Sequence, residues 1–181
     1  MATDPVLQGS TLVLGGARSG KSRHAEALVE SQPGGCVYLA TADAGDAEMA
    51  ERIRRHRARR GPRWRTEEVP LDLAGALGRS AEPGCAVLVD CLTLWLSNLI
   101  AAGRDIDRET AALADALPAL PGPVVLVSNE VGQGIVPDNP LARRFRDHAG
   151  LLHQAVATVV PAVIFMVAGM PVAVKRPPRT E

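Results

Sequence analysis

Aromatic residues are scarce in this 181-residue chain: two Trp, one Tyr and two Phe make up 3% of it. Stacking platforms for single-stranded nucleic acid are built from such rings, so that class of binding is not expected. Net charge is missing as well. Twenty Lys and Arg balance twenty Asp and Glu, which leaves no overall field to attract nucleic acid or an anionic membrane; any basic site has to be local. The first ten residues show no basic-then-apolar leader pattern, and no apolar run approaches the roughly eighteen residues needed to cross a bilayer. A cytoplasmic protein is the expectation. Cysteine is sparse and odd in number, at Cys36, Cys85 and Cys91. Widely spaced in apolar surroundings, these three suit neither a disulfide framework nor a tetrahedral metal site, and each reads as a buried small hydrophobe.

What is present is a chain that is 46% hydrophobic, enough for one sizeable core and one domain. Apolar strand-like runs at 11–14, 36–40, 86–90, 124–128 and 162–167 alternate with amphipathic helical stretches at about 46–60, 71–79, 92–102, 107–117 and 139–158. Continuous apolar strands separated by helices imply a mainly parallel sheet covered on both faces. A Gly169-Met170-Pro171 turn followed by 172–174 suggests a hairpin at one sheet edge. The expected organisation is a single α/β P-loop domain over 11–175, flanked by flexible segments at 1–10 and 176–181.

Gly15-Gly16-Ala17-Arg18-Ser19-Gly20-Lys21-Ser22 spells G-x-x-x-x-G-K-S directly after the apolar run Thr11-Leu12-Val13-Leu14. Glycines let successive backbone N–H groups point at phosphates, Lys21 reaches the β/γ oxygens and Ser22 offers a hydroxyl to Mg²⁺. Asp90 ends a later apolar strand, where P-loop proteins place a carboxylate for Mg²⁺. It also stands where it could cap the helix starting near Leu92. In the basic stretch from Glu51 to Glu68, helical spacing puts Met49, Ile53 and His56 on one face, while arginines fan out beside them. Neighbouring guanidinium groups lower the imidazole pKa and keep it nucleophilic. Two readings of this stretch stand: a solvated basic helix with a histidine packed at its edge, or a site where arginines hold a triphosphate next to a nucleophile. Ser128-Asn129-Glu130-Val131-Gly132-Gln133-Gly134-Ile135-Val136-Pro137 leaves a buried strand with a polar pair and continues as a long, glycine-punctuated loop, suited to enclosing a substrate.

These blocks, in this order, closely resemble the bifunctional adenosylcobinamide kinase/adenosylcobinamide-phosphate guanylyltransferase family. The likeness runs from about Thr11 to Lys175. It rests on the phosphate loop with Arg23, on Arg52-Ile53 leading to His56-Arg57, on Trp64-Arg65-Thr66 and Glu68, on Asp90-Cys91-Leu92-Thr93, and on 129–137. The resemblance implies that His56 attacks GTP and carries GMP, with Lys21 assisting, and that the same chain phosphorylates adenosylcobinamide with ATP or GTP. It implies that Gly15, Gly16, Ala17, Arg18, Ser19, Gly20, Lys21, Ser22, Ala40, Thr41, Ala42, Arg57, Ala58, Arg59, Arg60, Glu68 and Asp90 bind nucleotide. Ser22 and Asp90 would serve Mg²⁺, although Asp90 stands where some members have Glu, and a metal contact and a guanine contact both remain open. Asn129, Glu130, Gly132 and Gly134 would line the corrinoid substrate. The segment after Thr41 is richer in alanine than the family pattern, while the spacing of Ile53 and His56 is intact. A recombinase-like P-loop fold and a homotrimer are implied by the likeness alone. Two further classes fit the phosphate loop without His56: a P-loop kinase for another small alcohol, and a nucleotide-dependent assembly switch.

Overall fold

The computed structural model describes residues 7, 9–42 and 61–177. The expected helix at 46–60 lies outside them. Seven strands form one sheet: β1 (Ser10–Gly15), β2 (Gly35–Ala40), β3 (Trp64–Glu68), β4 (Cys85–Asp90), β5 (Val124–Asn129), β6 (Ala162–Val167) and β7 (Met170–Lys175), in the order β3-β2-β4-β5-β1-β6-β7. Every pairing is parallel except β6 with β7. This is the single α/β domain anticipated from alternating strands and helices.

Strand alternation divides the core into two layers. Val13, Tyr38, Ala40, Leu88, Val125 and Val127 point to one face, where α1 (Lys21–Glu30) covers them with Ala25, Leu28 and Val29. Leu12, Val37, Leu39, Val87, Val89 and Leu126 point to the other. There α2 (Leu73–Ser80), α3 (Leu92–Ala101), α4 (Ile106–Ala116) and α5 (Pro140–Val159) supply Leu77, Leu96, Leu113 and Val156. Both faces of the central strands β1, β2, β4 and β5 are therefore dry, which is why those sequences read as unbroken apolar runs rather than alternating ones.

Caps explain the small shifts in helix ends. Asp72 accepts from Gly75 N and starts α2 at Leu73, later than the apolar run suggests. Asp105 caps α4 one residue early by accepting from Arg108 N, and Asn139 caps α5 by accepting from Leu141 N at 2.7 Å. Such caps satisfy N–H groups that have no partner inside the helix.

One strand was not anticipated and two expectations are corrected. The strand β3 has no apolar signature, because Trp64-Arg65-Thr66-Glu67-Glu68 is an edge strand paired only with β2, with Arg65 and Glu68 exposed and the other three half-buried. The C-terminal hairpin turns at Ala168 and Gly169, with φ of 51° and 81°, and β7 already begins at Met170. A two-residue turn with positive φ at both positions matches the twist of the strands it joins. Pro171, anticipated in the turn, sits instead in the edge strand, where a missing N–H is tolerated. Among the cysteines, Cys36 and Cys91 are buried, but Cys85 is only half-buried; all three are free thiols, and burial raises the pKa of each.

Candidate active site

Parallel strands end on one side, and their ends gather the residues of interest. In register, Glu68 lies next to Ala40, Ala40 next to Asp90, and Asn129 next to Gly15. Backbone bonds tie these ends together, from Thr41 N to Asp90 O at 3.2 Å and from Glu130 N to Gly15 O at 3.0 Å.

The phosphate loop runs from β1 into α1. Arg18 and Gly20 have φ of 56° and 93°, so the backbone between Ser19 and Lys21 reverses hand and turns its N–H groups inward, as in an anion nest. Gly20 occupies the cap position of α1, and having no side chain it makes no cap bond of its own. A helix N-terminus preceded by such a loop suits an anion. Lys21 is buried with Nζ 3.0 Å from Gly16 O. Ser19 Oγ is buried without a hydrogen-bond partner among the described residues, a costly state that a phosphate oxygen would relieve. A Cβ on Gly15 would come within 2.5 Å of Ser19 Oγ and 3.0 Å of Met166 O, whereas one on Gly16 would meet nothing within 4 Å. Ala17 and Arg18 are exposed at the tip. The β6–β7 turn braces this loop, with Gly169 N donating to Ser19 O at 3.1 Å.

Asp90 accepts a 2.5 Å hydrogen bond from Tyr38 Oη. Alternation along β4 places Asp90 with Ala86 and Leu88 on the face covered by α1, the helix whose first turn carries Ser22. Asp90 is not the cap of α3. That position belongs to Cys91, without a side-chain cap bond. Mg²⁺ keeps most of its shell as water and phosphate, so Ser22 and Asp90 suffice chemically as the protein's contribution. Among the described residues, no three His, Cys, Asp or Glu side chains gather as a protein-only metal cage.

Thr41 is wholly buried, and its hydroxyl is engaged by Cys91, accepting from Cys91 N at 2.7 Å and donating to Cys91 O at 2.8 Å. It clasps the ends of β2 and β4. Ala42 is half-buried at the strand exit, and Glu68 is exposed at the end of β3. Asn129 turns its amide towards the start of α3, donating to Thr93 Oγ1 at 2.8 Å. Glu130 Oε1 accepts from Gly132 N at 2.5 Å, and Gly132 and Gly134 are exposed. His56, Arg57, Ala58, Arg59 and Arg60 lie outside the described residues.

Two contributors went unread in the sequence, Tyr38 and His153, and the partners of Thr93 and Ser128 were not foreseen. For Tyr38 the signal was there, since strand alternation puts position 38 on the face of 40 and 90. For His153 it was helical spacing with Ala149, Leu152 and Val156, all buried.

Known proteins share this fold and this sequence. A solved structure from Pyrococcus horikoshii OT3 superposes with a TM-score of 0.54 over 94% of this chain and 87% of that one; at 10% identity it speaks for the fold alone. The bifunctional adenosylcobalamin biosynthesis protein CobP of Pseudomonas aeruginosa is 53% identical over 169 residues, covering 92% of this chain and 98% of that protein. The corresponding CobU proteins of Salmonella typhimurium and Escherichia coli are 42% and 41% identical, each covering 91% of this chain and 98% of theirs. With residues 11–174 matching its model, the chain belongs to the cobinamide kinase/cobinamide phosphate guanyltransferase family.

Proposed function

We propose that this enzyme phosphorylates adenosylcobinamide and then guanylylates the product, with His56 as the carrier of GMP. The observation that supports this reading best is the phosphate loop opening α1 at Gly20 on the sheet face of Asp90, in a chain of this family. In the first reaction the aminopropanol hydroxyl attacks the γ-phosphorus of ATP or GTP, loses its proton and displaces the nucleoside diphosphate. Inward-facing N–H groups and Lys21 stabilise the charge that develops on the phosphoryl oxygens. In the second, an imidazole nitrogen of His56 attacks the α-phosphorus of GTP, the bond to the bridging oxygen breaks and pyrophosphate leaves. A phosphate oxygen of adenosylcobinamide phosphate then attacks the same phosphorus, releasing His56 and giving adenosylcobinamide-GDP. A bound Mg²⁺, held by Ser22 and Asp90, would neutralise phosphate charge.

Arg57 to Arg60 hold the triphosphate, and the Glu68 carboxylate suits guanine because it can accept from both N1–H and the 2-amino group. Ala40 and Ala42 form the floor beside it, and the loop bearing Asn129, Glu130, Gly132 and Gly134 encloses the corrinoid. The working enzyme is a cytoplasmic homotrimer, and a mass three times that of the chain by light scattering is the expected result. No helix among the described residues is long and apolar enough to cross a membrane.

Incubation with α-labelled GTP tests the covalent step: acid-labile, alkali-stable label must appear on the protein. Phosphoryl transfer to a hydroxyl needs no covalent histidine, so His56→Ala should keep the kinase reaction and lose the label. Label persisting in that variant at His24, His148 or His153 would remove His56 from the mechanism. A kinase reaction with no label in the wild type would leave only a small-molecule kinase.

A further inference from the structure

The inward stripe of α5, Ala149, Leu152 and Val156, is interrupted by one polar residue, His153, which is itself buried. Its Nε2 lies 2.7 Å from Ser128 Oγ and its Nδ1 4.0 Å from Glu130 Oε2. Serine, histidine and carboxylate in a row is the order of a nucleophilic site. Here that chemistry is closed off, because Ser128 is 0% exposed and no acyl or phosphoryl donor can reach it.

Glu130 connects three parts of the molecule. Its N–H donates to Gly15 O at the start of the phosphate loop, its Oε1 accepts from Gly132 N in the 129–137 loop, and its Oε2 faces His153 on α5. Burial lowers the His153 pKa, against a smaller upward effect of Glu130. The ring is then neutral near pH 7. With its proton on Nδ1 the ring turns the positive end of its N–H dipole towards the carboxylate, 4.0 Å away and so a dipole contact rather than a hydrogen bond, and Nε2 accepts from the Ser128 hydroxyl. The ring thereby packs beside the Glu130 carboxylate, which accepts from the backbone at Gly132.

We propose that His153 is a positioning residue whose Nδ1, facing Glu130, holds the 130–137 loop relative to the phosphate loop and so governs how tightly the corrinoid is held. The kinetic half of this rests on the reading that this loop encloses the corrinoid; the tether does not. Nucleotide binding, which uses the phosphate loop, is not governed by it.

Three variants separate the contacts. Asparagine places its amide nitrogen where Nδ1 was, so His153→Asn keeps the donor facing Glu130 and loses Ser128. Glutamine reaches the Nε2 position, so His153→Gln keeps Ser128 and loses Glu130; His153→Leu loses both. Amide hydrogen exchange over 130–136 should be faster in His153→Gln and His153→Leu than in wild type or His153→Asn, with α1 and β4 unchanged. In steady-state kinetics the corrinoid KM should rise by about fivefold or more in His153→Gln, while the GTP KM stays within about twofold and His153→Asn stays near wild type. Exchange that is unchanged at 130–136, or that rises across the whole sheet, overturns the proposal. So does a fall in kcat with both KM values unmoved. If wild type turns over no corrinoid while the selective exchange change is seen, the functional reading fails and the tether stands. Should His153→Leu not fold, the Asn and Gln pair still decides the matter.

Discussion

Lys21 carries the most chemistry per atom in this protein. Its ammonium is buried against the carbonyl of Gly16, so phosphate oxygens compete for a charge that is already held at the loop's centre. Lys21→Ala should abolish measurable kinase turnover and GMP labelling together. Lys21→Arg should restore neither fully, because a planar fork does not fit where a compact charge sits; assays of both reactions on the purified variants check this. Histidine at 153 makes the second prediction at this scale. Burial depresses its folded-state pKa below the unfolded value, so between the two the unfolded chain binds more protons and stability rises with pH. Its contribution is present above the unfolded value of about 6.5 and is lost as pH falls through the folded value. Urea unfolding from about pH 5 to 7.5 should show wild type losing stability on acidification, and His153→Gln should show a shallower loss. Lys21 was legible because a fixed spacing defines its place. Tyr38 and Ser128 were not, since a hydroxyl in an apolar strand shows nothing of its partner until another element arrives.

At the scale of elements, the phosphate loop and the loop after β5 obey different constraints. Gly15 has no room for a side chain: a Cβ there meets Ser19 Oγ and the backbone oxygen of Met166, whereas Gly16 faces open space. Gly15→Ala should therefore cost about 1–3 kcal/mol and weaken nucleotide binding, while Gly16→Ala should stay within about 0.5 kcal/mol. Chemical denaturation of the two variants side by side checks the contrast. Among the described residues, helices and buried strands were legible to within a residue or two, since their periodicity and caps are local. The strand β3 was not. Its stabilisation comes from pairing with β2 rather than from an apolar face, and pairing across the sheet leaves no trace in five polar residues.

For the whole molecule, the decisive fact is that one sheet separates two cores and collects its loops on one side. Trp95 is buried among α3 and the sheet, and Trp64 sits on β3 with its ring edge-on to Tyr38 in the other layer. The layers share every central strand. Thermal unfolding followed by tryptophan fluorescence and by far-UV circular dichroism should give one coincident transition. Because nucleotide binds only the folded site, GTP at about one hundred times its Kd should add about 2.7 kcal/mol, a rise on the order of 5–10 °C in Tm. Non-coincident transitions, or a midpoint indifferent to GTP, would count against a single nucleotide-organised domain.

Sequence alone determined the fold class, the phosphate loop and the family, because each is encoded locally: an apolar run, a glycine spacing, a series of short blocks in order. It also placed Asp90 and Asn129 at strand ends, since strand boundaries are local too. Tertiary structure alone decided what those side chains touch. Asp90 meets Tyr38 from a neighbouring strand, Asn129 meets Thr93 at the start of α3, and Glu130 bridges Gly15 and the helix that carries His153. Each of these contacts joins residues far apart along the chain, and hydrogen bonds are short and directional, so register and helix packing had to be in place before any of them could exist.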